Sequence, residues 1–513
     1  MDSEPSTPLK QQLAKLNIPW FWVGIAALFA FSLALRFWGL SRFNTLVFDE
    51  TIYVNQSNSY LTHTFFFSDH PPISKYLIAL GIWIDTHNPL KSHSGNYPLA
   101  VSELNAYSYR WMNALVGSFV PLLIAGIAYQ LSRRRSYALL AGLFAGVDGF
   151  LLVESRYALN NISIIFFGLL GQWLFLFALN SRIRQRRLYL LFSGISFGFC
   201  IASKWNGLGF LLGIYLVWGI AWVLKWARSL GLNLRASAIQ NNRFLKKLTR
   251  LSWLDLACDL GFIPILVYCL LWIPHFLQNP SPGFLSLHQQ SLSFHKTVGG
   301  GTDVHPYCSR WYTWPLMLRP VAYYFDRVTQ DSKEINYVVQ GTGNPVLWWL
   351  STAAILIVLW GLIRSLRRRK TSRTVPNSAI VALAIAFYRR TQRGIAAQLS
   401  QLSSESSLNP ASTQNFFIPL YLVANYAANL LPWVKVTRCT FLYHYLSASI
   451  FSFLALAWIV DRGLRSSDLF FRILSIAATV LVLSAFIFWL PIFLGLPLSR
   501  EAFDTRMLLQ SWY

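Results

Sequence analysis

The stretch PWFWVGIAALFAFSLALRFWGLSRFNTLVFDETIY, residues 19–53, joins a long apolar segment to two adjacent acids. Residues 19–40 are long enough to cross a bilayer, because a spanning helix needs about 20 apolar residues. A polar start precedes them and no small-residue cleavage site follows, so we expect a retained anchor. Asp49 and Glu50 come shortly after the span. The stretch therefore predicts a membrane protein with acids on one face of the membrane.

The composition agrees with this prediction. Hydrophobic residues make up 54% of the 513 positions and charged residues only 12%, which are not values of a soluble domain. The formal net charge is +24, but Lys and Arg stand in short clusters between apolar runs and form no contiguous basic arm. We therefore expect no nucleic-acid partner and interpret the positive charge as a signal of membrane topology.

Further apolar runs of spanning length raise the predicted number of membrane helices to eleven, an odd number that puts the two termini on opposite faces. After residues 19–40 these runs are 112–131, 137–154, 161–180, 188–203, 207–224, 257–276, 346–363, 414–433, 445–460 and 469–492.

The basic clusters orient the predicted spans, because short cytoplasmic loops carry an excess of Lys and Arg. A cytoplasmic N-terminus places every cluster on the cytoplasmic face and the C-terminus outside. The clusters are RRR 133–135, RIRQRR 182–187, the basic residues of 225–250, RSLRRRK 364–370, and Arg462 with Arg465.

This topology divides the chain into four parts. We predict a cytoplasmic tail, an N-terminal transmembrane module with a long external loop, a second long external loop, and a C-terminal transmembrane module with a cytoplasmic insert. In that order they are 1–18, 19–276 with the loop 41–111, 277–345, and 346–513 with the insert 364–413. Within the insert, 378–387 is about half a span long, which favours an interfacial helix over an extra span.

The five cysteines include no CxxC pair and indicate no zinc or redox motif. Cys308 and Cys439 lie in candidate loops, so a disulfide between them stays open.

Ionisable residues collect at the outer ends of the spans, near the level of Asp49. An intramembrane charge is costly and usually faces a partner or a wet cavity, so we interpret the group as one polar site. Several cations facing two or three acids suit a lipid phosphate, with one carboxylate left as a base. Its members are Asp148, Arg156, Lys204, Arg438 and His444.

Seven motifs follow one another between about residues 40 and 450. They are FDETIY, DHPPISKY, DGFLLVESRYAL, SKWNGLG, HPYCSRWYTWPLMLRP, GTGNPVLWW and RCTFLYHYL. Their order and spacing resemble those of the bacterial protein O-mannosyltransferases, which belong to the GT-C superfamily of polyprenyl-phosphate-sugar glycosyltransferases. The resemblance implies an all-α polytopic GT-C fold with about eleven transmembrane helices, the topology that the charge pattern predicts independently.

The resemblance also implies an activity. A family member would transfer mannose from polyprenyl-phosphate-mannose to Ser or Thr hydroxyls of a polypeptide. It would be an integral protein of the bacterial inner membrane, surrounded by membrane lipid, with its active site on the external, periplasmic face. The lipid-linked sugar is a substrate, so we expect no cofactor. We also expect no metal, since Asp69 and His70 alone are too short a signal for a metal site.

Site residues follow from the matched motifs. By similarity, the catalytic pair is Asp49, the general base, and Glu50, which would shape the site or contact the acceptor. Arg156 is the first choice for binding the donor phosphate, followed by Arg438, His444 and Lys204. The residues expected to bind the acceptor or shape the site are Asp69, His70, Asp148, His305 and Tyr443.

Two departures from the family pattern limit this transfer of roles. Asn161 stands where many members have an Asp, and 277–345 is too short for the MIR domain of eukaryotic relatives. Three alternatives stay open: a GT-C enzyme with a lipid or glycan acceptor, an anionic-solute transporter, and a purely structural membrane subunit. The transporter is disfavoured because the sequence shows no internal repeat, and a structural subunit leaves the acid pair unexplained.

Overall fold

The computed structural model describes residues 19–88, 100–230, 243–297, 305–331, 333–367 and 410–513. The predicted tail 1–18, the interfacial segment 378–387 and most of the insert around it lie outside these residues. The described chain is mainly helical, as the sequence predicts.

The helices follow the predicted apolar runs, with short helices added in the segments between them. We number them α1 (Trp20–Phe37), α2 (Glu50–Thr62), α3 (Ile73–Thr86), α4 (Ala106–Ser118), α5 (Val120–Ser132), α6 (Arg135–Gly146), α7 (Gly149–Arg156), α8 (Asn161–Asn180), α9 (Ile183–Ile201), α10 (Leu208–Ser229), α11 (Arg243–Leu248), α12 (Trp253–Gln278), α13 (Phe284–Thr297), α14 (Pro345–Arg367), α15 (Pro410–Leu430), α16 (Leu446–Leu464), α17 (Leu469–Leu494) and α18 (Arg500–Asp504).

Nine helices of the described chain are long and apolar enough to cross a membrane, or ten if the bent pair α6 and α7 forms one span. All of them correspond to predicted spans. The remaining predicted span, 188–203, is part of α9, which is 19 residues long but has Arg184, Arg186 and Arg187 near its N-terminal end. The count of eleven and the faces of the two termini therefore stay predictions.

The bend between α6 and α7 measures 60° and is fixed by Asp148. Its carboxylate caps α7 by accepting from the Leu151 N–H at 2.9 Å. It also accepts from the indole N–H of Trp348 at 2.7 Å and from the Asn344 N–H at 3.3 Å. The predicted site residue Asp148 is thus a fully buried structural link between two of the motifs.

A small antiparallel sheet joins the loop 277–345 to the C-terminal segment and was not predicted. It consists of β1 (Val321–Gln330), β2 (Lys333–Gly341) and β3 (Pro497–Ser499), in the order β1-β2-β3. Because β3 follows the last candidate span, the C-terminal segment lies on the same face as loop 277–345. The buried Trp512 strengthens this attachment, since its indole donates to the Met317 carbonyl at 2.9 Å.

The disulfide that the sequence left open is present. Cys308 and Cys439 are bonded across 131 residues, with their Cα atoms 5.2 Å apart. Beside the bond, the Ser309 N–H donates to the Thr440 carbonyl at 2.8 Å and the Thr440 hydroxyl donates to the Ser309 carbonyl at 2.6 Å. These contacts bring the HPYCSRW and RCTFLYHYL motifs together.

Candidate active site

Asp49 stands directly before α2, with its carboxylate unoccupied. The preceding residue, Phe48, has a left-handed backbone (φ 52°), and its ring stacks on Tyr323 with 4.5 Å between centroids. Asp49 is half-buried, and its carboxylate has no hydrogen-bond or ion-pair partner in the described part of the chain. Burial raises its pKa to about 6 against the opposing charge of Lys204. Asp49 is therefore a carboxylate that can accept a proton near neutral pH.

Glu50, the adjacent acid, is fully buried and fully occupied. It accepts two hydrogen bonds from Arg110, at 2.8 and 2.7 Å, in a two-pronged ion pair. The backbone N–H groups of Val47 and Ala158 donate to it at 2.9 and 2.8 Å. Of the two roles expected for Glu50, the structure favours shaping the site over contact with the acceptor.

Lys204 is the cation that lowers the pKa of Asp49 by its charge. It precedes the candidate span Trp205–Ala227, and its ammonium lies 5.2 Å from the ring centroid of Tyr443. Among the residues that the structure describes, this ammonium has no hydrogen-bond partner. Burial lowers its pKa to about 8, although Asp49 opposes the shift. Lys204 is therefore a buried cation without a paired anion among the described residues.

A second carboxylate, Asp69, belongs to the same electrostatic group. Burial alone would raise its pKa, but His70, Lys75 and His295 lower the pKa to about 2, so Asp69 is ionised at neutral pH. His70 places its Nε2 atom 3.7 Å from this carboxylate, and the His295 ring stacks on His70 at 4.8 Å. The DHPP motif and α13 thus form one wall of the site.

Arg438 lies next to the disulfide and is half-buried. Its guanidinium donates to the Cys439 carbonyl at 3.1 Å, and it has no carboxylate partner within the described ranges. Burial lowers its pKa, and it acts electrostatically on Lys204. Lys204 and Arg438 are thus two cations that share one region without an ion-pair partner.

Two histidines of the motifs are held by their surroundings. The Nδ1 atom of His444 lies 2.9 Å from the Phe441 carbonyl, and its ring packs between Trp314 and Trp433. His305 lies against the Phe441 ring, at 5.3 Å between centroids. Both lie beside the Arg438 segment, so the structure assigns them to the support of this region.

Arg156, the first choice for the donor phosphate, is bound to backbone carbonyl groups. Its guanidinium donates to the carbonyls of Leu35, Arg36, Trp38 and Gly39, at 2.7 to 3.2 Å. These are carbonyl groups at and just beyond the C-terminal end of α1, which would otherwise lack donors. Arg156 therefore fixes the end of the first span, and its expected role at the donor phosphate stays a prediction.

Sequence reasoning missed Glu154, which is fully buried and interacts electrostatically with Lys204. It accepts from the Tyr323 hydroxyl at 2.5 Å and from the Asn161 amide at 3.1 and 3.2 Å. The signal was in the VESRY motif, where Glu154 precedes Arg156 by two residues. The structure also gives the Asn161 departure a physical meaning, because an Asp there would face a second carboxylate and force the pair to share a proton.

Family models match almost the whole described chain. Residues 26–278 match the model described as dolichyl-phosphate-mannose-protein mannosyltransferase. Residues 281–512 match the C-terminal four TMM region of protein-O-mannosyltransferase. This chain belongs to the protein O-mannosyltransferase family. It is accordingly an integral membrane protein, and the resemblance seen in the motifs is confirmed.

Individual relatives agree with this family. The chain is 26% identical over 455 residues to a polyprenol-phosphate-mannose--protein mannosyltransferase of Corynebacterium glutamicum, covering 75% of this chain and 79% of the relative. It is 26% identical over 386 residues to the Mycobacterium tuberculosis protein of the same name, covering 66% and 70%.

Solved structures share the fold. The S. cerevisiae protein O-mannosyltransferase Pmt1-Pmt2 complex bound to the sugar donor has a TM-score of 0.71 at 15% identity, covering 97% of this chain and 93% of the matched chain. An Archaeoglobus fulgidus oligosaccharyltransferase has a TM-score of 0.52 at 12% identity, covering 94% and 56%. These identities show the fold alone, which confirms the GT-C class expected from the motifs.

The contacts of Arg156 predict a structural role. We expect Arg156→Ala to lower the free energy of unfolding by about 3 kcal/mol, since several charge-assisted hydrogen bonds to buried carbonyls are lost. Thermal unfolding in detergent measures the change. Arg438→Ala is the matched control and should unfold nearly as the wild type. A normal unfolding temperature for Arg156→Ala, together with weaker donor binding, would instead support the phosphate role that the motifs predict for Arg156.

The disulfide predicts a redox dependence of donor binding. Because Cys439 adjoins Arg438, breaking the bond with Cys308→Ser or by reduction should weaken donor binding about tenfold or more, as one unpaired cation loses its position. Binding of a fluorescent donor analogue before and after reduction checks this. Cys258→Ser, which alters an exposed free cysteine, is the control. Unchanged affinity in a fully reduced protein would mean that the bond does not position Arg438.

Proposed function

We propose that this protein transfers mannose from polyprenyl-phosphate-mannose to Ser or Thr hydroxyls of polypeptides. One observation carries the proposal: Asp49, a carboxylate without a hydrogen-bond partner in the described chain, lies in the electrostatic field of Lys204, which in turn interacts with Arg438. Neither cation has an ion-pair partner within the described residues. The printed names of the bacterial relatives support the same donor and a protein acceptor.

Asp49 has the properties of the general base. A hydroxyl is a poor nucleophile, so a carboxylate must take its proton as the oxygen attacks the anomeric carbon of mannose. The new carbon–oxygen bond forms while the bond from that carbon to the lipid phosphate breaks. The proton passes to Asp49, and the electron pair of the broken bond passes to the phosphate.

Lys204 and Arg438 would stabilise the departing phosphate. Negative charge grows on its oxygens in the transition state, and cations already fixed in a poorly hydrated site stabilise it without reorganisation. Both cations are protein side chains, so the proposal includes no metal ion and no further cofactor. Asp69, His70 and Tyr443 would form the surrounding walls, as the motifs predicted.

The proposal places the site on the external face of a bacterial inner membrane. A disulfide beside the site suits an oxidising compartment and is uncommon in a reducing cytosol. The distribution of Lys and Arg favours the same orientation. Accessibility of cysteines introduced into the loop 41–111, tested with a membrane-impermeant thiol reagent on intact cells, would measure the orientation directly.

In vitro transfer tests the acceptor class. Purified protein in detergent should transfer mannose from a polyprenyl-phosphate-mannose donor to a peptide with one Thr, and a peptide with Ala in its place should accept none. A lipid acceptor should be assayed in parallel. Transfer to the lipid alone would replace the proposal with the alternative of a lipid-directed enzyme.

Substitution of Asp49 separates base catalysis from binding. Asp49→Asn keeps the side-chain size but removes the proton acceptor, so we expect donor binding to persist while transfer falls by roughly 10²- to 10⁴-fold. Glu50→Gln is the neighbouring control: it should mainly lower the unfolding temperature, because it leaves the buried Arg110 without its counter-charge. Near-normal transfer by Asp49→Asn would assign the base to another carboxylate.

The two shifted pKa values predict a bell-shaped pH profile. Below about pH 6 Asp49 is protonated and cannot accept a proton, and above about pH 8 Lys204 loses the charge that holds the phosphate. We expect kcat/KM to be highest near pH 7. Lys204→Arg should remove the alkaline limb and retain the acid limb, since a guanidinium stays charged there. A flat profile between pH 5 and 9 would contradict both roles.

A further inference from the structure

The hairpin of β1 and β2 begins inside the candidate site and projects away from it. At its base, Tyr323 is buried, with its ring on Phe48 and its hydroxyl on Glu154. From Phe325 to Gln330, every residue of β1 is exposed. The strand therefore leads from the immediate neighbour of Asp49 to the external solvent.

The outer edge of β1 is unpaired. β1 is an edge strand, since the sheet has the order β1-β2-β3. Gln330 pairs with Lys333 across a two-residue connection, which makes this a hydrogen-bonded pair. Hydrogen-bonded and non-hydrogen-bonded pairs alternate in an antiparallel ladder, so the N–H and C=O groups of Phe325, Arg327 and Thr329 point away from β2. No hydrogen bond to these groups occurs within the described residues.

This edge has few of the features that protect a strand from pairing with another chain. Proteins blunt such edges with Pro, with charged side chains, especially Lys, or with a bulge. The exposed half of β1 contains neither Pro nor Lys, its two charged residues Asp326 and Arg327 are of opposite sign, and the irregularity in the ladder lies at its base, between Ala322 and Tyr324. Phe325 and Val328 remain 52% and 42% exposed. The edge therefore offers both free backbone groups and apolar contacts.

We propose that the acceptor polypeptide binds as an extended strand along the outer edge of β1, from Thr329 toward Phe325, and so delivers its hydroxyl residue to Asp49. This inference rests on the proposed function, because it takes a polypeptide to be the acceptor. Main-chain pairing requires no particular side chains, and the chemistry requires only one hydroxyl. At about 3.3 Å per residue, the acceptor residue opposite Phe325 lies only a few positions from the one that reaches Asp49.

The edge geometry also predicts an alternating pattern along the backbone of the acceptor. Residues of an edge-bound strand alternate between those whose N–H points to β1 and those whose N–H points away. Binding should therefore tolerate a change of the backbone nitrogen at every second acceptor position and be weakened at the positions between them. A disordered or purely side-chain mode of binding would show no such period.

Backbone methylation of the acceptor tests this pattern on the unaltered enzyme. A series of peptides with one Thr, each N-methylated at one successive position, is titrated for binding by fluorescence anisotropy and assayed for transfer. We expect binding about tenfold weaker at alternate positions on one side of the Thr. Equal affinity throughout, or loss without a period of two, would overturn the proposal. Periodic binding without transfer to any peptide would instead overturn the proposed function and support the edge.

A matched pair of variants locates the contact. Arg327→Pro removes the outward N–H, a change that edge strands accept, whereas Arg327→Ala removes only the side chain and its contacts with Asn336 and Glu334. We expect weaker peptide binding in Arg327→Pro than in Arg327→Ala, with equal unfolding temperatures. Equal binding by the two variants would overturn the proposal. So would a detergent-solubilised dimer of the wild type that Arg327→Pro dissociates, because a second copy would then occupy the edge.

Discussion

The ion pair between Glu50 and Arg110 is the contact on which the site depends. Arg110 also donates to the carbonyls of Leu40, Phe43 and Thr45, at 2.8 to 3.2 Å, so one guanidinium holds the whole connection between α1 and α2. A buried ion pair contributes little net stability, because desolvation offsets its attraction, but it is costly to break. Here it fixes one conformation of a loop rich in backbone polar groups. Asp49 is carried by that loop and therefore has a defined position without any hydrogen bond of its own carboxylate.

The four cations near the site differ in their hydrogen-bond partners. Arg110 and Arg156 are buried and donate several hydrogen bonds to carbonyl groups or a carboxylate, as the fixed donors of a guanidinium allow, although the Nε atom of Arg156 has no partner within the ranges that the structure describes. Lys204 is buried and Arg438 is half-buried. Neither has an anionic partner at bonding distance in the described chain. An uncompensated cation in such a place is unfavourable for folding, and residues that violate local rules in this way are typical of functional sites. In the proposed function, this positive charge would meet the phosphate that arrives with the donor.

Much of this arrangement was readable from the sequence, for identifiable reasons. The bilayer constrains each segment separately, so span length and basic clusters can be interpreted one segment at a time. The candidate spans of the structure accordingly follow the predicted apolar runs. The depth of Arg156 was inferred in the same way, but depth does not reveal partners, and the carbonyl groups it binds belong to a helix 120 residues earlier. The sheet was missed because VAYYFDRVTQ does not alternate apolar and polar residues: its outer six residues are all exposed. Glu154 was not selected as a site residue, because the sequence does not show that its partners are Tyr323 and Asn161.

The balance of charge in the site explains why a weak base is placed there. Asp49, Asp69 and Glu154 all interact electrostatically with Lys204, and Lys75 acts on Asp69 as a further cation. A phosphodiester brings a further negative charge, which favours the protonated form of the nearest carboxylate. Burial raises the pKa of Asp49, while the neighbouring cations hold Asp69 ionised. If Asp49 is the base of the proposed function, donor binding increases the proton affinity of the residue that takes the hydroxyl proton. The phosphate would then strengthen the base, and recognition of the donor and activation of the acceptor would be coupled through one electrostatic field.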